Sequence, residues 1–187
     1  GWEFDSELNL WTDGEQLLTF SLSTANTPEL KRAAQIAAAA WTEGGIPVKV
    51  SVFETGDLNQ NVIRPRNYEA LLFGEVVGRG LDLYAFWHSS QKDDPGLNIA
   101  LYTNSTVDDL LAEARTISDK EERDELYLKF EQEILEDTPA IFLYAPDFLY
   151  VVPEKLRGQD IPLVATPSER FSGVYLWHTQ TERVWYF

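Results

Sequence analysis

The sequence contains no cysteine and no methionine. Without cysteine the chain has no disulfide, no thiolate nucleophile, no zinc–thiolate site and no iron–sulfur cluster, and cysteine usage says nothing about its compartment. Because position 1 is glycine, we expect the natural translation product to be longer. No apolar run approaches the roughly 20 residues that span a bilayer. The first residues do not form a basic segment followed by an apolar stretch, so we expect that any export signal has been removed.

Basic and imidazole side chains are also scarce. Lysine and arginine number 15 against 31 acidic residues, which gives a formal charge of -16 and disfavours binding to a phosphate backbone. His88 and His178 are far apart and lack the spacing of ligands on one helix, so we predict no metal site. What is abundant is apolar surface, with 44% hydrophobic and 13% aromatic residues. That content supports a folded core in one domain, or at most two small ones.

Hydrophobic periodicity predicts an α/β arrangement with a mixed sheet. Alternation predicts strands over 17–24 and 47–54, a continuous apolar run predicts a central strand within 68–77, and shorter runs predict strands at 140–144 and 149–152. Helical spacing predicts helices over 28–44, 105–116 and 119–137, with a short helix over 56–63. The acidic stretches 121–125 and 131–137 alternate with the apolar stripe of the last helix, so we expect them to face water.

Several segments in this order carry a resemblance to one family. They are Tyr68 to Gly74 running into Asp82 to Ser89, then Asn98, Tyr102 and Asn104 before Val107 to Leu111, and finally Glu122 to Gln132 followed by Asp137 to Leu143. The chain resembles the C-terminal half of the family 5 extracellular solute-binding proteins, the peptide-, dipeptide- and nickel-binding components of ABC importers. The resemblance implies a lobe of a two-lobed, type II periplasmic-binding-protein-like fold. Residues 1–170 would form the C-terminal ligand-binding lobe, and residues 171–187 a tail that returns to an N-terminal lobe preceding Gly1.

The same resemblance implies a function in capture. A peptide or related small solute would bind between two lobes outside the cytoplasm, in the periplasm or at the cell surface, and pass to a membrane permease of an ABC importer, with no cofactor and no catalysis. The sequence departs from the family where the turn 79–82 lacks an aspartate–proline pair. The acid that binds a peptide amino terminus in some members falls near Val77, so an ammonium-binding role is not carried over.

Seven residues are candidate ligand contacts: Thr24, Asn26, Val77, Gly78, Asp82, Trp87 and Asn98. The loop at Thr24 and Asn26 follows a predicted strand, at the edge where open sheets bind ligands, although Asn26 could equally hold a turn. Trp87 offers an aromatic face to a ligand, or else anchors the core. Asn98 could present its amide to a peptide backbone, and bracing of its own loop is the stronger alternative.

Two other classes of protein remain open. A carboxylate-based hydrolase or glycosidase domain would need Asp82 or Glu75 opposite a second acid in a deep, closed cavity. An interaction module would use the aromatic residues near the C-terminus for assembly: Trp177, Trp185, Tyr186 and Phe187.

Overall fold

A three-stranded parallel sheet forms the first part of the structure. The computed structural model describes residues 1–77, 82–161, 164 and 166–179. Strand β1 (Glu3–Asp5) pairs with β2 (Leu10–Thr12) in an antiparallel hairpin ahead of the sheet. In the sheet itself, β3 (Phe20–Ala25) lies between β4 (Val48–Phe53) and β5 (Ala70–Leu72), and both neighbours run parallel to it.

Helix α1 (Pro28–Glu43) is the crossover between β3 and β4. Proline is tolerated in the first turn because its missing N–H has no partner there in any helix, and Gly45 ends the helix at a φ of 85° that favours glycine. The buried face carries Ala34 and Ala38, small side chains that let the helix lie close to the sheet. The predicted helix 28–44 is confirmed.

The connection from β4 to β5 is a short α-helical turn, α2 (Thr55–Asp57), which continues as a π-helix (Leu58–Ile63). Leu58, Val62 and Ile63 are buried against Ala25, and Leu30, Phe53, Tyr68, Leu71 and Ile99 pack around them. This cluster is the core beneath the sheet. β5 is only three residues long and lies at the edge of the described sheet, whereas the apolar run 68–77 predicted a longer, central strand.

A second core lies between three helices beyond the sheet. It joins α3 (Tyr84–Trp87) to the pair α4 (Ser105–Ala114) and α5 (Lys120–Asp137). Its buried members are Trp87, Tyr102, Val107, Leu111, Phe130 and Ile134. Asn104 caps α4 and Asp119 caps α5, each accepting two backbone N–H donors of the first turn.

The remainder of the described chain is largely extended. Strands β6 (Leu156–Arg157) and β7 (His178–Thr179) pair antiparallel, with two short 3₁₀ turns, Pro167–Phe171 and Val174–Leu176, between them. Residues 140–152 contain no strand, although 140–144 and 149–152 were predicted as strands. Helices combined with parallel and antiparallel strands confirm the α/β class. Within the described ranges, no helix is both long enough and apolar enough to cross a bilayer.

Candidate ligand-binding site

A cavity of about 350 Å³ lies beside the end of β5. One wall is the segment that leaves the strand, Phe73 to Val76, and the opposite wall is the loop Asp94 to Leu97. The end of the π-helix, with Ile63 and Arg64, and the ring of Phe86 complete the lining. Aromatic and aliphatic surface with a few charged groups is typical of a site for a small organic ligand. The position at the carboxyl end of a parallel strand also fits that use.

Arg66 fixes the shape of this cavity. Its guanidinium donates from Nε to the carbonyl of Lys92 (2.8 Å), from Nη1 to that of Ile63 (2.8 Å) and from Nη2 to that of Gly96 (2.7 Å). These bonds tie the cavity loop to the end of the π-helix. Because three of its five N–H donors bind backbone carbonyls, we assign Arg66 a positioning role.

Besides Arg66, the charged groups of the cavity are Glu75, Arg64 and Asp94. Arg64 Nε lies 3.6 Å from Asp94 Oδ1, a solvent-exposed ion pair. Burial raises the pKa of the Glu75 carboxyl to about 7, and no charge among the described residues contributes to that shift. The residue as a whole still reaches water, so the carboxyl is only partly desolvated. Glu75 and Asp94 therefore share a cavity without forming an interacting pair of acids.

Glu75 gives the protein a pH-dependent stability whose sign can be tested. The folded carboxyl, with a pKa of about 7, holds a proton that the unfolded carboxyl releases near 4.5. Stability from this group is therefore complete below pH 4.5 and is lost as pH rises through about 7. We expect Glu75→Gln to match the parent at pH 4.5 and to be more stable at pH 8 by about 1 kcal/mol, since water screens part of the penalty. Urea denaturation at the two pH values measures this.

Glu69 provides a matched control of opposite sign. Its carboxylate accepts from the backbone N–H and from the hydroxyl of Ser21, each at 2.7 Å, and these bonds lower its pKa. That contribution is present above the unfolded pKa and is lost as the carboxylate is protonated. Glu69→Gln should thus be less stable than the parent at pH 8. If Glu75→Gln is also less stable than the parent at pH 8, the raised pKa of Glu75 is wrong.

Thr24 and Asn26 lie at the carboxyl end of β3. Thr24 is fully buried, and its hydroxyl donates to the carbonyl of Leu72 (3.0 Å), linking β3 to β5. Asn26 is exposed, with Nδ2 donating to Glu54 Oε1 (2.7 Å) and Oδ1 accepting from Lys31 Nζ (3.4 Å). Of the two, only Asn26 presents a side chain at the surface. Its turn-holding role is supported by these bonds, and ligand contact stays a prediction.

Val77, Gly78 and Asp82 belong to the segment between β5 and α3. Val77 is half-buried and follows the cavity wall, and Gly78 lies outside the described residues. Asp82 is exposed and forms an ion pair with Arg115, at 3.2 Å between Oδ2 and Nη2. The Arg115 guanidinium also lies 4.4 Å from the ring centroid of Tyr84. Asp82 thus already has a cationic partner within the described chain.

Trp87 and Asn98 are brought together in the second core. Asn98 Nδ2 donates to the carbonyls of Trp87 (3.2 Å), His88 (3.1 Å) and Tyr102 (3.0 Å), and its Oδ1 accepts from Tyr102 N–H (3.1 Å). Asn98 is completely buried, and Trp87 packs among Tyr102, Phe130 and Phe142. Both occupy the bracing and anchoring positions that were the alternatives to ligand contact. Direct contact with a ligand stays a prediction for both.

Sequence patterns did not identify Arg66 or the loop 94–97 as parts of a site. The bonds that define the cavity join residues 26 and 30 positions apart, so no local pattern marks them. Arg66 also adopts a φ of 56°, which is uncommon for a side-chain-bearing residue and which the sequence does not reveal. Within the described ranges, no three acidic or imidazole side chains converge as a metal site would require.

Comparison with known proteins points to one group of binding proteins. No protein-family model matches the chain. Over 115 residues, 61% of the chain, it is 35% identical to the oligopeptide-binding protein AppA of Bacillus subtilis, and this stretch is 21% of that protein. The structure of Bacillus subtilis AppA in complex with a nonapeptide superimposes on 97% of the chain with a TM-score of 0.75 and 26% identity, using 35% of the AppA chain.

A second solved structure shares the fold at lower identity. NikZ from Campylobacter jejuni, in complex with Ni(L-His), superimposes on 96% of the chain with a TM-score of 0.72 and 21% identity, using 36% of its own chain. The chain therefore spans about a fifth of the curated relative and about a third of these structures. The relatives are binding proteins. The resemblance found in the sequence is confirmed, and the α/β fold of the chain is that of part of these binding proteins.

Proposed function

We propose, on the premise that this chain is a segment of a family 5 extracellular solute-binding protein, that the whole protein is the substrate-binding component of an ABC importer. It captures peptides or related small solutes between two lobes and delivers them to a membrane permease. Residues 1–170 supply the C-terminal lobe, residues 171–187 return to the N-terminal lobe, and the protein works outside the cytoplasm. The observation that carries the proposal is the 35% identity to an oligopeptide-binding protein, together with superposition over nearly the whole chain.

The mechanism is capture without bond making or breaking. Binding energy comes from apolar contact in the cavity beside β5 and from a few polar groups that orient the ligand. Asn26, Val77 and Gly78 are proposed contacts near the carboxyl edge of the sheet. Thr24 links β3 to β5 at that edge. Trp87 and Asn98 hold the neighbouring helical core, and Asp82 pairs with Arg115 at the end of α4. A second lobe that binds the same ligand favours the closed arrangement, because closure adds contacts that the open form lacks.

Neither alternative class is favoured by a specific observation. A hydrolase or glycosidase needs two acids that act on one bond. Asp82 is paired with Arg115 and exposed, and the pKa of Glu75 shows no influence from another carboxylate. For the interaction module, Trp185, Tyr186 and Phe187 lie outside the described residues, while the ring centroid of Trp177 lies 5.7 Å from that of Phe171. We therefore propose a binding protein that is not an enzyme and uses no cofactor.

Calorimetry on the full-length protein tests the proposal. A mixture of short peptides of defined length should bind with one site per molecule and a Kd of about 1 µM or tighter, equivalent to about 8 kcal/mol. Residues 1–187 alone should bind the same peptides at least tenfold more weakly, since one wall of the site is absent. Ni(L-His) and single amino acids serve as comparison ligands. Release of cleaved peptide would contradict the proposal, and so would absence of peptide binding.

A further inference from the structure

The cavity beside β5 contains one acidic group that is left without a partner in the described chain. Arg64 and Asp94 pair with each other, and three donors of Arg66 bind backbone carbonyls. The fourth charged side chain of the lining is Glu75. Its carboxyl makes no hydrogen bond and no ion pair with the residues that the structure describes. A ligand that enters the cavity therefore meets an acid that is still able to bind a cation.

Neither arginine of the cavity compensates the charge of Glu75. A guanidinium close to this carboxyl would lower its pKa, yet the pKa is raised to about 7 and burial is the cause. The side chain of Arg64 is 59% exposed, so its charge is screened by water as well as by Asp94. The positive charges of the cavity thus lie too far from Glu75 to take the place of a ligand.

The rest of the lining is largely apolar. Phe73 and Phe86 contribute aromatic rings, and Ile63, Leu97 and Ile99 contribute aliphatic surface. Phe73 is 41% exposed, so a ligand can reach its ring. The volume of about 350 Å³ is near the lower end of the range of small-molecule sites, which is roughly 300–1,000 Å³. A cavity of this size suits one long side chain of a larger ligand.

The shape of the cavity does not depend on the ligand. Arg66 binds the carbonyls of Ile63, Lys92 and Gly96 and so joins the two walls. The π-helix 58–63 ends at one of these walls, and such irregular helices are frequent at functional sites. A site that is already formed binds more selectively, because little ordering is left to oppose binding.

Long basic side chains match this combination of groups. Lysine and arginine have an aliphatic stem that packs on apolar surface and a cationic head that binds an acid. Aromatic rings also attract such a cation at their faces. An acidic side chain would instead place a second negative charge beside Glu75 in partly dehydrated surroundings. A neutral apolar side chain would fill the cavity but leave the carboxylate without a partner.

We propose that this cavity is a subsite for a basic side chain of a peptide ligand, whose cationic head binds the Glu75 carboxylate while its stem lies against Phe73 and Phe86. This inference rests on the proposed function, because the side chain belongs to a peptide that the whole protein captures. The formal charge of -16 acts in the same direction, since it attracts basic peptides over longer distances.

Calorimetry with matched peptides tests the subsite. The full-length protein is titrated at pH 8 with peptides of alanine and serine, of the length that it binds, carrying lysine at each position in turn. A second set carries norleucine, which keeps the stem of lysine and lacks its ammonium. We expect the best lysine peptide to bind at least about tenfold more tightly than its norleucine counterpart. Equal affinities of the two sets at every position would overturn the proposal.

Two glutamine variants separate the subsite from the net charge. Glu75→Gln should reduce the preference for lysine over norleucine to within about twofold, because an amide carries no charge. Glu125→Gln removes an exposed acid of α5 outside the cavity and should keep the preference. A preference lost equally in both variants would refute the subsite. So would an equal loss of affinity for both peptides in Glu75→Gln, which would mean that Glu75 binds the amino terminus that the peptides share.

Proton release on binding is a readout that a structural role of Glu75 would not change. At pH 6 the folded carboxyl, with a pKa of about 7, is mostly protonated, so a cation that binds it displaces a proton. The other charged groups of the cavity are Asp94, Arg64 and Arg66, and side chains of these types do not ordinarily titrate between pH 6 and 8. Calorimetry in buffers of different ionisation enthalpy should show that lysine peptides release at least about half a proton more than norleucine peptides. No difference would contradict the proposal.

The outcomes distinguish this inference from the proposed function. If peptides of every length fail to bind, the proposed function is wrong and the subsite is wrong with it. If peptides bind equally well with lysine and with norleucine, the proposed function stands and only the subsite is wrong.

Discussion

Replacing Asn98 with leucine should cost about 4 kcal/mol of unfolding free energy, although leucine is similar in size. The buried amide satisfies the carbonyl oxygens of Trp87, His88 and Tyr102 and the N–H of Tyr102. Each buried group left without a partner costs about 1–3 kcal/mol, and some of the three carbonyls will recruit water. The loss is large against the roughly 5–15 kcal/mol that stabilises a typical domain. Urea denaturation of the full-length protein measures it.

Two further variants isolate the role of the amide. Asn98→Asp keeps the shape and the acceptor for Tyr102 N–H, but it turns an oxygen toward three carbonyl oxygens. It should destabilise as much as leucine at pH 8 and less at pH 4, where protonation restores a donor. Asn26→Ala removes an exposed asparagine and should change stability by no more than about 0.5 kcal/mol. If Asn98→Leu behaves like Asn26→Ala, the amide does not hold the core together.

The helices were the part of the fold that local sequence specifies best. The predicted ranges 28–44, 105–116 and 119–137 correspond to Pro28–Glu43, Ser105–Ala114 and Lys120–Asp137. Each has an apolar stripe at helical spacing, and each begins at a proline or a polar cap, so the signals lie within the element itself. Boundaries differ by no more than two residues because terminal turns depend on the cap geometry.

The strands were predicted less well because their length depends on what lies beside them. The apolar run 68–77 forms β5 only over Ala70–Leu72, where β3 offers a pairing partner. The strands predicted at 140–144 and 149–152 have no neighbouring strand within the described chain, so these apolar residues form no backbone hydrogen bonds of a sheet there. Strand formation thus depends on the neighbouring elements as well as on the local sequence pattern.

The acidic side chains of α5 were also predicted only in part, because their distant hydrogen-bond partners are not visible in the sequence. The stretch 131–137 was expected to face water, and most of its acids do. Asp137 is exposed as well, yet it accepts from Tyr102 Oη (2.5 Å) and Asn104 Nδ2 (2.9 Å), which lowers its pKa. It thereby connects the end of α5 to the segment before α4. Spacing along one helix does not reveal a partner more than 30 residues away.

Part of the candidate site could be predicted from local sequence, and part depends on contacts between residues far apart in the chain. The candidate contacts at 24–26 were inferred from the edge of a predicted sheet and those at 77–78 from the family resemblance, and the cavity does lie beside one strand of that edge. Its shape depends on the guanidinium of Arg66 reaching the carbonyls of Lys92 and Gly96. The reach of Arg66 and the partial desolvation of the Glu75 carboxyl do not follow from sequence spacing, so the cavity is visible only in the structure.

Trp87 is the residue at which core and ligand roles make opposite predictions, and we expect Trp87→Ala to cost about 3–5 kcal/mol of stability. Its ring lies 6.1 Å from Phe130 and 6.4 Å from Tyr102 between centroids, both in edge-on contact, and only 8% of the residue is exposed. Removing the indole leaves a void between α3, α4 and α5 that close-packed neighbours cannot fill. Trp87→Phe should recover more than half of the loss, since much of the apolar volume returns.

The comparison that decides between the two roles uses stability and peptide affinity together. Trp2→Ala, the same substitution at an exposed tryptophan of the full-length protein, should shift the urea midpoint little. If Trp87 is an anchor of the core, Trp87→Phe loses some stability while peptide affinity stays within about twofold of the parent. If Trp87 is instead a wall of the binding site, the Trp87→Phe variant keeps the stability of the parent but binds peptide more weakly. In that case the indole contacts the ligand and contributes little to the core. The edge-on packing against two buried rings favours the first outcome.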